Sequence, residues 1–248
     1  MEHRSNKTIV IEFYKQVIGQ HDFSLIDTFI SDTYIQHSPM AKDGKAGIME
    51  MLQMLKNLPK PAQTVTPLTM AIADGDIVAL QLDINIMGKR ALVVDIFRIE
   101  NGKLAEHWDV VQFIPQEAVN DLNREIHIED DKTNDNKILV TNYVNNVFVK
   151  KRFEQASGYF RVGHQSQNTL KFSGRLNEVL SNQFREYELM VYNVIGEGNL
   201  VLVQSSYRDA NNDVVLNDIF EVDNDQIVSS WSVEQAIPDK MMHDNGML

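Results

Sequence analysis

The sequence contains no cysteine. That removes disulfides, thiolate nucleophiles and Cys-based zinc sites, and it is compatible with a reducing compartment. Positive charge is also scarce, with 23 Lys and Arg against 35 Asp and Glu and a formal net charge of −12. A surface for nucleic acid or anionic lipid needs a basic patch, so neither partner is expected. No apolar run approaches the roughly 18 residues of a membrane span. The stretch Met1–Lys7 leads straight into a helical pattern without the apolar core of a secretion signal. A cytoplasmic protein is expected. The remainder is ordinary globular composition, 43% hydrophobic and 23% charged over 248 residues, enough for one large domain or two of usual size.

The most informative stretch runs from Val93 to Gln112 and centres on Asn101-Gly102. Asn-Gly between alternating segments is the strongest short hairpin signal, because both turn residues must accept positive φ. If Glu100 faces Lys103, then Asp95 lies opposite Trp108, Phe97 opposite Glu106 and Ala91 opposite Gln112. Side chains alternate along a strand, so these residues share one face. Val94, Ile96, Arg98, Ala105, His107, Asp109 and Val111 fall on the other. Two carboxylates thus interrupt an aromatic and aliphatic surface beside a tryptophan.

Ahead of the hairpin, Asn6–Ile18 has apolar residues at helical spacing, Phe23–Phe29 resumes as a second helix, and Asp32–Pro39 reads as a short extended segment. A third helix is expected over Ile48–Leu58, stopped by Pro59 and Pro61, and strands over 65–73 and 77–87. The pattern then repeats. Asp95, Phe97, Trp108, Gln112 and Pro115 recur as Asp218, Phe220, Trp231, Gln235 and Pro238 at an offset of 123, and Gly75 recurs as Gly198. His37 recurs as His164 and Gly47 as Gly174 at an offset of 127; Asn6-Lys7 recurs as Asn136-Lys137 at 130. Offsets that change only between elements are what insertions leave in a duplicated unit. The expected division is one domain at 1–118, a polar linker at 119–135 and a second domain at 136–248, with a frayed end after Pro238.

Each half reads helix, helix, short strand, helix and then long antiparallel strands, an α+β arrangement. This order, the segment Tyr34-Ile35-Gln36-His37-Ser38-Pro39, Asp43-Gly44 and the whole Asp95–Gln112 hairpin resemble the SnoaL-like polyketide cyclase branch of the nuclear transport factor two-like superfamily. Within that branch the bacterial aldol-condensation type is the nearest likeness. The first half resembles the branch along nearly its whole length, the second in outline. The resemblance implies two cone-shaped domains, each a curved sheet covered by about three helices, with a pocket on the concave face. It implies no cofactor. It sets Asp95 where similar ketosteroid isomerases keep a pocket aspartate, His37 near their general base and Tyr14 near their helix tyrosine. Polyketide cyclases similar to this chain carry their catalytic aspartate a few residues after the tryptophan. Here strand phase turns Asp109 away and Gln112 inward, so their usual chemistry is not expected.

His37 and Asp95 are therefore the expected catalytic pair, with His37 as base and Asp95 as its orienter or as a donor to an enolate. Tyr14, Phe97, Glu106, Trp108 and Gln112 would line the substrate site, and His164, Asp218, Phe220, Trp231 and Gln235 a second pocket. Each has a plainer role open to it. Asp95 could hold the Trp108 indole or a helix backbone, His37 could be a satisfied turn residue, Glu106 a solvated rim carboxylate, and Trp108 and Tyr14 core. No metal site is expected, because Glu106 and His107 point to opposite faces. The expected activity is cofactor-independent proton transfer on a small hydrophobic carbonyl compound, by an isomerase, lyase, cyclase or aldol-type step. The alternatives are a non-catalytic module that binds a small apolar ligand or another protein, and a purely structural duplication with filled pockets. The opposite sheet faces, with Val94, Ile96 and Val111 in one half and Val215, Ile219 and Val228 in the other, would form a pseudo-dimer within the chain. Homo-oligomers of the whole chain also fit the resemblance.

Overall fold

A computed structural model describes residues 5–56, 67–118, 132–161, 179–180 and 186–248. The expected helix end at Leu58, most of the expected linker, His164 and Gly174 lie outside the described residues. The fold is α+β with two sheets, one of five strands in the order β1-β5-β4-β3-β2 and one of four in the order β6-β7-β8-β9. The strands are β1 (Ile30–Gln36), β2 (Leu68–Asp74), β3 (Ile77–Ile86), β4 (Lys89–Glu100) and β5 (Lys103–Phe113), then β6 (Glu188–Glu197), β7 (Leu200–Arg208), β8 (Asp213–Asp223) and β9 (Gln226–Ala236). Neighbours in the second sheet are antiparallel, whereas β1 runs parallel to β5 in the first.

By packing, the chain divides into two compact units. One comprises Met1–Asp83, Val94–Asp109 and Pro238–Leu248, the other Ile84–Val93 and Val110–Ile237. The expected division at 1–118, 119–135 and 136–248 groups the chain by repeat rather than by packing. No helix among the described residues is long and apolar enough to cross a membrane.

In the first unit, α1 (Asn6–Phe13) starts at Ser5, whose side chain accepts from the Thr8 amide and satisfies a donor that the first turn leaves open. Ile9, Val10 and Phe13 face inward, each removing apolar area worth roughly 1.5–3 kcal/mol. The helix then widens into a π-helical turn over Tyr14–Gly19, a local irregularity that often marks a functional position. The short α2 (Ile26–Phe29) leads into β1, and α3 (Gly44–Lys56) follows. These elements bury Val17, Phe29, Tyr34, Ile48 and Leu52 in one core with Leu80 and Phe97 of the sheet.

Gly47 on α3 has a strict reason to be glycine. A Cβ there would come within 2.0 Å of the Lys42 carbonyl oxygen, a backbone atom that cannot swing aside. Gly47→Ala is expected to lower stability by about 1–3 kcal/mol, readable as a drop in urea midpoint at unchanged slope. A change within experimental error would mean that the approach relaxes freely.

The second unit repeats the start of the first. Its α4 (Thr133–Tyr143) widens into a π-helical turn over Val144–Val149, as α1 does. Asn6 Nδ2 donates to the Gly75 carbonyl at 2.9 Å, and Asn136 Nδ2 donates to the Gly198 carbonyl at 2.8 Å. A helix irregularity and a helix-to-hairpin hydrogen bond at matching places fit a tandem duplication. Val140, Tyr143, Val147 and Phe148 pack with Val203, Leu216 and Phe220 in this unit's core.

The hairpins depart from the simple register in one respect, and it changes which residues meet. Asn101 and Gly102 do take positive φ, 51° and 74°. Yet in the second hairpin Asp223 pairs with Gln226 and Val222 with Ile227, after which Glu221 pairs with Ser229 and Asp218 with Ser232. Val228 is an extra residue, a β-bulge that shifts the phase of every residue beyond it by one. The first hairpin shows the same shift in its side chains: Arg98 bonds to Glu106, and Phe97 stacks on His107. The expected pairing of Asp95 with Trp108 is therefore corrected. Asp95, Phe97, His107 and Asp109 share a face, while Arg98, Glu106 and Trp108 lie on the other.

A second correction concerns the segment Pro238–Leu248. It is held rather than frayed: it belongs to the first unit, and Met247 is 3% exposed.

Candidate active site

The first unit holds a buried polar network built on β4, β5, β1 and the π-helical turn. Asp95 on β4 is 4% exposed and His107 on β5 is 7% exposed. His107 Nε2 lies 2.9 Å from Asp95 Oδ1, and Tyr14 donates its hydroxyl proton to Asp95 Oδ2 at 2.6 Å. On its other side, His107 Nδ1 lies 2.9 Å from Gln36 Oε1. That amide's orientation follows from the Ser38 backbone N–H, which donates to the same Oε1 at 2.9 Å. Nδ1 must therefore carry a proton, and Nε2 faces a carboxylate oxygen. One proton is shared between imidazole and carboxyl, so this is either an ion pair or a neutral hydrogen-bonded pair. Phe97 covers the imidazole face at 4.4 Å between ring centroids.

Asp109 completes the group. One carboxylate oxygen each of Asp95 and Asp109 and one ring nitrogen of His107 lie within 4.8 Å of one another. Asp109 is half-buried as a residue, but its Oδ1 is shut off from solvent and has no hydrogen-bond partner among the described residues. Burial pushes the Asp109 carboxyl above the usual carboxylate range; the Asp95 charge adds to this and His107 opposes it. Burial likewise raises the Tyr34 hydroxyl, with the charge of Asp109 next in size, and it raises Tyr14, with Asp95 next. Gln36 Nε2 donates to the Tyr34 oxygen at 3.3 Å, which leaves the Tyr34 proton available to another acceptor.

The Asp95, His107 and Asp109 trio has the composition of a metal site, but both His107 nitrogens already face oxygen acceptors. A cation would have to break the imidazole's bond to Asp95 or to Gln36 to gain a nitrogen ligand.

His37 sits elsewhere. Its Nε2 lies 2.9 Å from Glu106 Oε1, its Nδ1 donates to the Gly246 carbonyl at 3.0 Å, and its ring stacks on Trp108 at 4.9 Å and 9° between planes. Glu106 Oε2 accepts from Arg98 Nε at 2.9 Å. The expected His37–Asp95 pair is thus corrected: the bulge gives Asp95 to His107, and His37 joins Glu106 and Trp108. Of the expected lining residues, Tyr14 and Phe97 meet Asp95, while Glu106 and Trp108 meet His37. Gln112 meets neither. It belongs to the second unit, where its Oε1 accepts from the Glu234 amide, and Gln235 Oε1 accepts from the Val111 amide.

In the second unit Asp218 is 3% exposed, accepts from the Ser232 hydroxyl on Oδ1, and leaves Oδ2 without a partner among the described residues. Phe220 is on the same face, its ring 5.7 Å from that of Tyr143. Trp231 pairs with Ile219 and Gln235 with Val215, so both lie on the opposite face from Asp218, a correction with the same cause.

Sequence reading missed His107, Asp109, Tyr34 and Gln36 as members of the network. The signal for the first two was present in the run Glu106-His107-Trp108-Asp109, since any one-residue slip exchanges Glu106 and Trp108 for His107 and Asp109.

No curated protein matches the sequence. Among solved structures, a SnoaL-like polyketide cyclase from Agrobacterium tumefaciens is 17% identical, aligning over 44% of this chain and 93% of its own with a TM-score of 0.36. An NTF2-like protein of unknown function from Cytophaga hutchinsonii is 19% identical, over 47% and 96% with a TM-score of 0.35. A protein of unknown function with a cystatin-like fold from Xanthomonas campestris is 24% identical, over 45% and 93% with a TM-score of 0.34. The SnoaL-like domain family model matches residues 10–107. The matched residues include Tyr14, Tyr34, Gln36, Asp95 and His107.

Proposed function

We propose that the SnoaL-like domain is a cofactor-independent proton-transfer enzyme acting on a small hydrophobic carbonyl compound, with Asp109 as the base. One observation carries this reading: a carboxylate oxygen without a partner among the described residues, shut off from solvent, beside a histidine–aspartate pair. A raised carboxyl suits proton abstraction from a carbon next to a carbonyl better than an ordinary one, because it is the stronger base when ionised. Asp109 would take the α-proton, the C–H electron pair would move into an enolate, and the Tyr34 hydroxyl would donate to the enolate oxygen. Reprotonation at the same or another carbon returns the proton and gives exchange or isomerisation. Asp95, His107, Gln36 and Tyr14 would position Asp109 and balance its charge rather than touch the substrate, since both imidazole nitrogens are engaged. His37 then has no part in the proton transfer.

The experiment is a screen of cyclic and linear ketones in deuterium oxide, with α-carbon exchange followed by proton NMR. Asp109→Asn is expected to slow the exchange of any compound turned over by at least about 10²-fold. His37→Ala should leave the exchange step itself unchanged. Exchange that survives Asp109→Asn, or no exchange above the buffer rate across the screen, would overturn the assignment.

A further inference from the structure

The segment Pro238–Leu248 follows the second hairpin, and the matching stretch of the first half is described as far as Ala118. At the matching place in the first half, the chain after Pro115 is held by Arg90, whose Nη1 donates to the carbonyls of Gln116 and Ala118. The segment instead runs along Gln36–Pro39. Met242 N donates to the Pro39 carbonyl at 3.2 Å, His243 Nε2 donates to the Ser38 carbonyl at 2.8 Å, and Asn245 Nδ2 donates to the Gln36 carbonyl at 2.9 Å. The Gly246 carbonyl then accepts from His37 Nδ1. Of the segment's residues only Met247 is buried, so polar contacts rather than a core hold it in place. Contacts of that kind mark a region that opens locally without the rest of the fold.

The chemistry at His37 is selective for such a group. Glu106 lies at one ring nitrogen and is fixed by Arg98, Trp108 covers one ring face, and the remaining N–H points at a single carbonyl oxygen. We infer that Met242–Leu248 is an occupant in cis of the His37 position, where the Gly246 carbonyl takes the hydrogen bond that a carbonyl-bearing ligand would otherwise receive. Such a ligand gains His37 only by displacing the segment. This inference does not rest on the role given to Asp109, and each can fail without the other.

The test measures acylation of individual histidines by diethyl pyrocarbonate, located by peptide mass spectrometry, in the intact chain and in a chain ended after Lys240. His37 is expected to react about tenfold faster in the shortened chain, equivalent to about 1.4 kcal/mol of protection, while His107 stays protected between Asp95 and Gln36. A full-length Gly246→Val chain should shift His37 in the same direction, because Gly246 has φ +77°, which a β-branched residue rarely adopts. A synthetic peptide of residues 242–248 at millimolar concentration, the range a short tether supplies, should restore protection to the shortened chain. Equal His37 rates in intact and shortened chains would overturn the inference. So would faster reaction of His107 together with His37, which would make the segment a structural prop, and so would a peptide that protects nothing.

Discussion

Asp95→Ala is expected to destabilise the first unit by about 3–5 kcal/mol, the usual consequence of removing one partner from a buried ion-paired or hydrogen-bonded set. The carboxylate receives the Tyr14 proton on one oxygen and faces His107 Nε2 with the other, and both partners are buried or nearly so. With alanine there, the Tyr14 hydroxyl loses its acceptor, His107 keeps Gln36, and a carboxylate-sized void opens between Tyr14 and His107. Asp95→Asn keeps the volume. Its amide oxygen can still accept from Tyr14, and its NH₂ can donate to a neutral His107 whose proton sits on Nδ1. That variant should lose only about 1–2 kcal/mol. Urea titration followed by the fluorescence of Trp108, in a Trp231→Phe background, reads both. Equal and small losses for the two variants would show that solvent reaches Asp95 readily and that the network is not the buried structure described.

Much of this architecture was legible in the residues themselves, and what was not has identifiable physical causes. The Asn101-Gly102 turn, the order of helices and strands, and the repetition from Asp95 to Asp218 all follow from local patterns that the fold preserves. The contacts of the site did not follow, because they depend on one residue. The bulge at Val228, and its side-chain signature in the first hairpin, falls in runs without glycine or proline, so nothing in the local composition announces it. Strand alternation has a period of two, and a single inserted residue exchanges whole faces. Asp95 was therefore identified as an interior carboxylate, but with the wrong neighbours. The segment after Pro238 was opaque for another reason. Its Met241, Met242, Met247 and Leu248 follow neither a helical nor a strand period, and three of its hydrogen bonds go to the main-chain carbonyls of Gln36, Ser38 and Pro39, which carry no side-chain signature.

The second unit offers a pH dependence with a sign opposite to that of most carboxylates. Asp218 is pushed up to about 7 by burial, with the charge of Glu234 adding to the shift and the Ser232 hydroxyl opposing it. An exposed aspartate in the unfolded chain titrates near about 4. Below that pH both states carry the proton and stability is unaffected by it. Between about 4 and about 7 the unfolded chain has released the proton and the folded chain has kept it, so each rise in pH favours unfolding. Above about 7 both states are ionised and the loss is complete. The contribution lost across this window is about 4 kcal/mol. Asp218→Asn removes the titration while keeping an acceptor for Ser232. The difference in unfolding free energy between the variant and the wild type should therefore grow in the variant's favour from pH 4 to pH 7 and stay level above. Urea titrations at half-unit intervals, followed by Trp231 fluorescence in a Trp108→Phe background, give that difference directly. A difference independent of pH would mean that Asp218 is ionised in the folded state throughout, with its open Oδ2 satisfied by water.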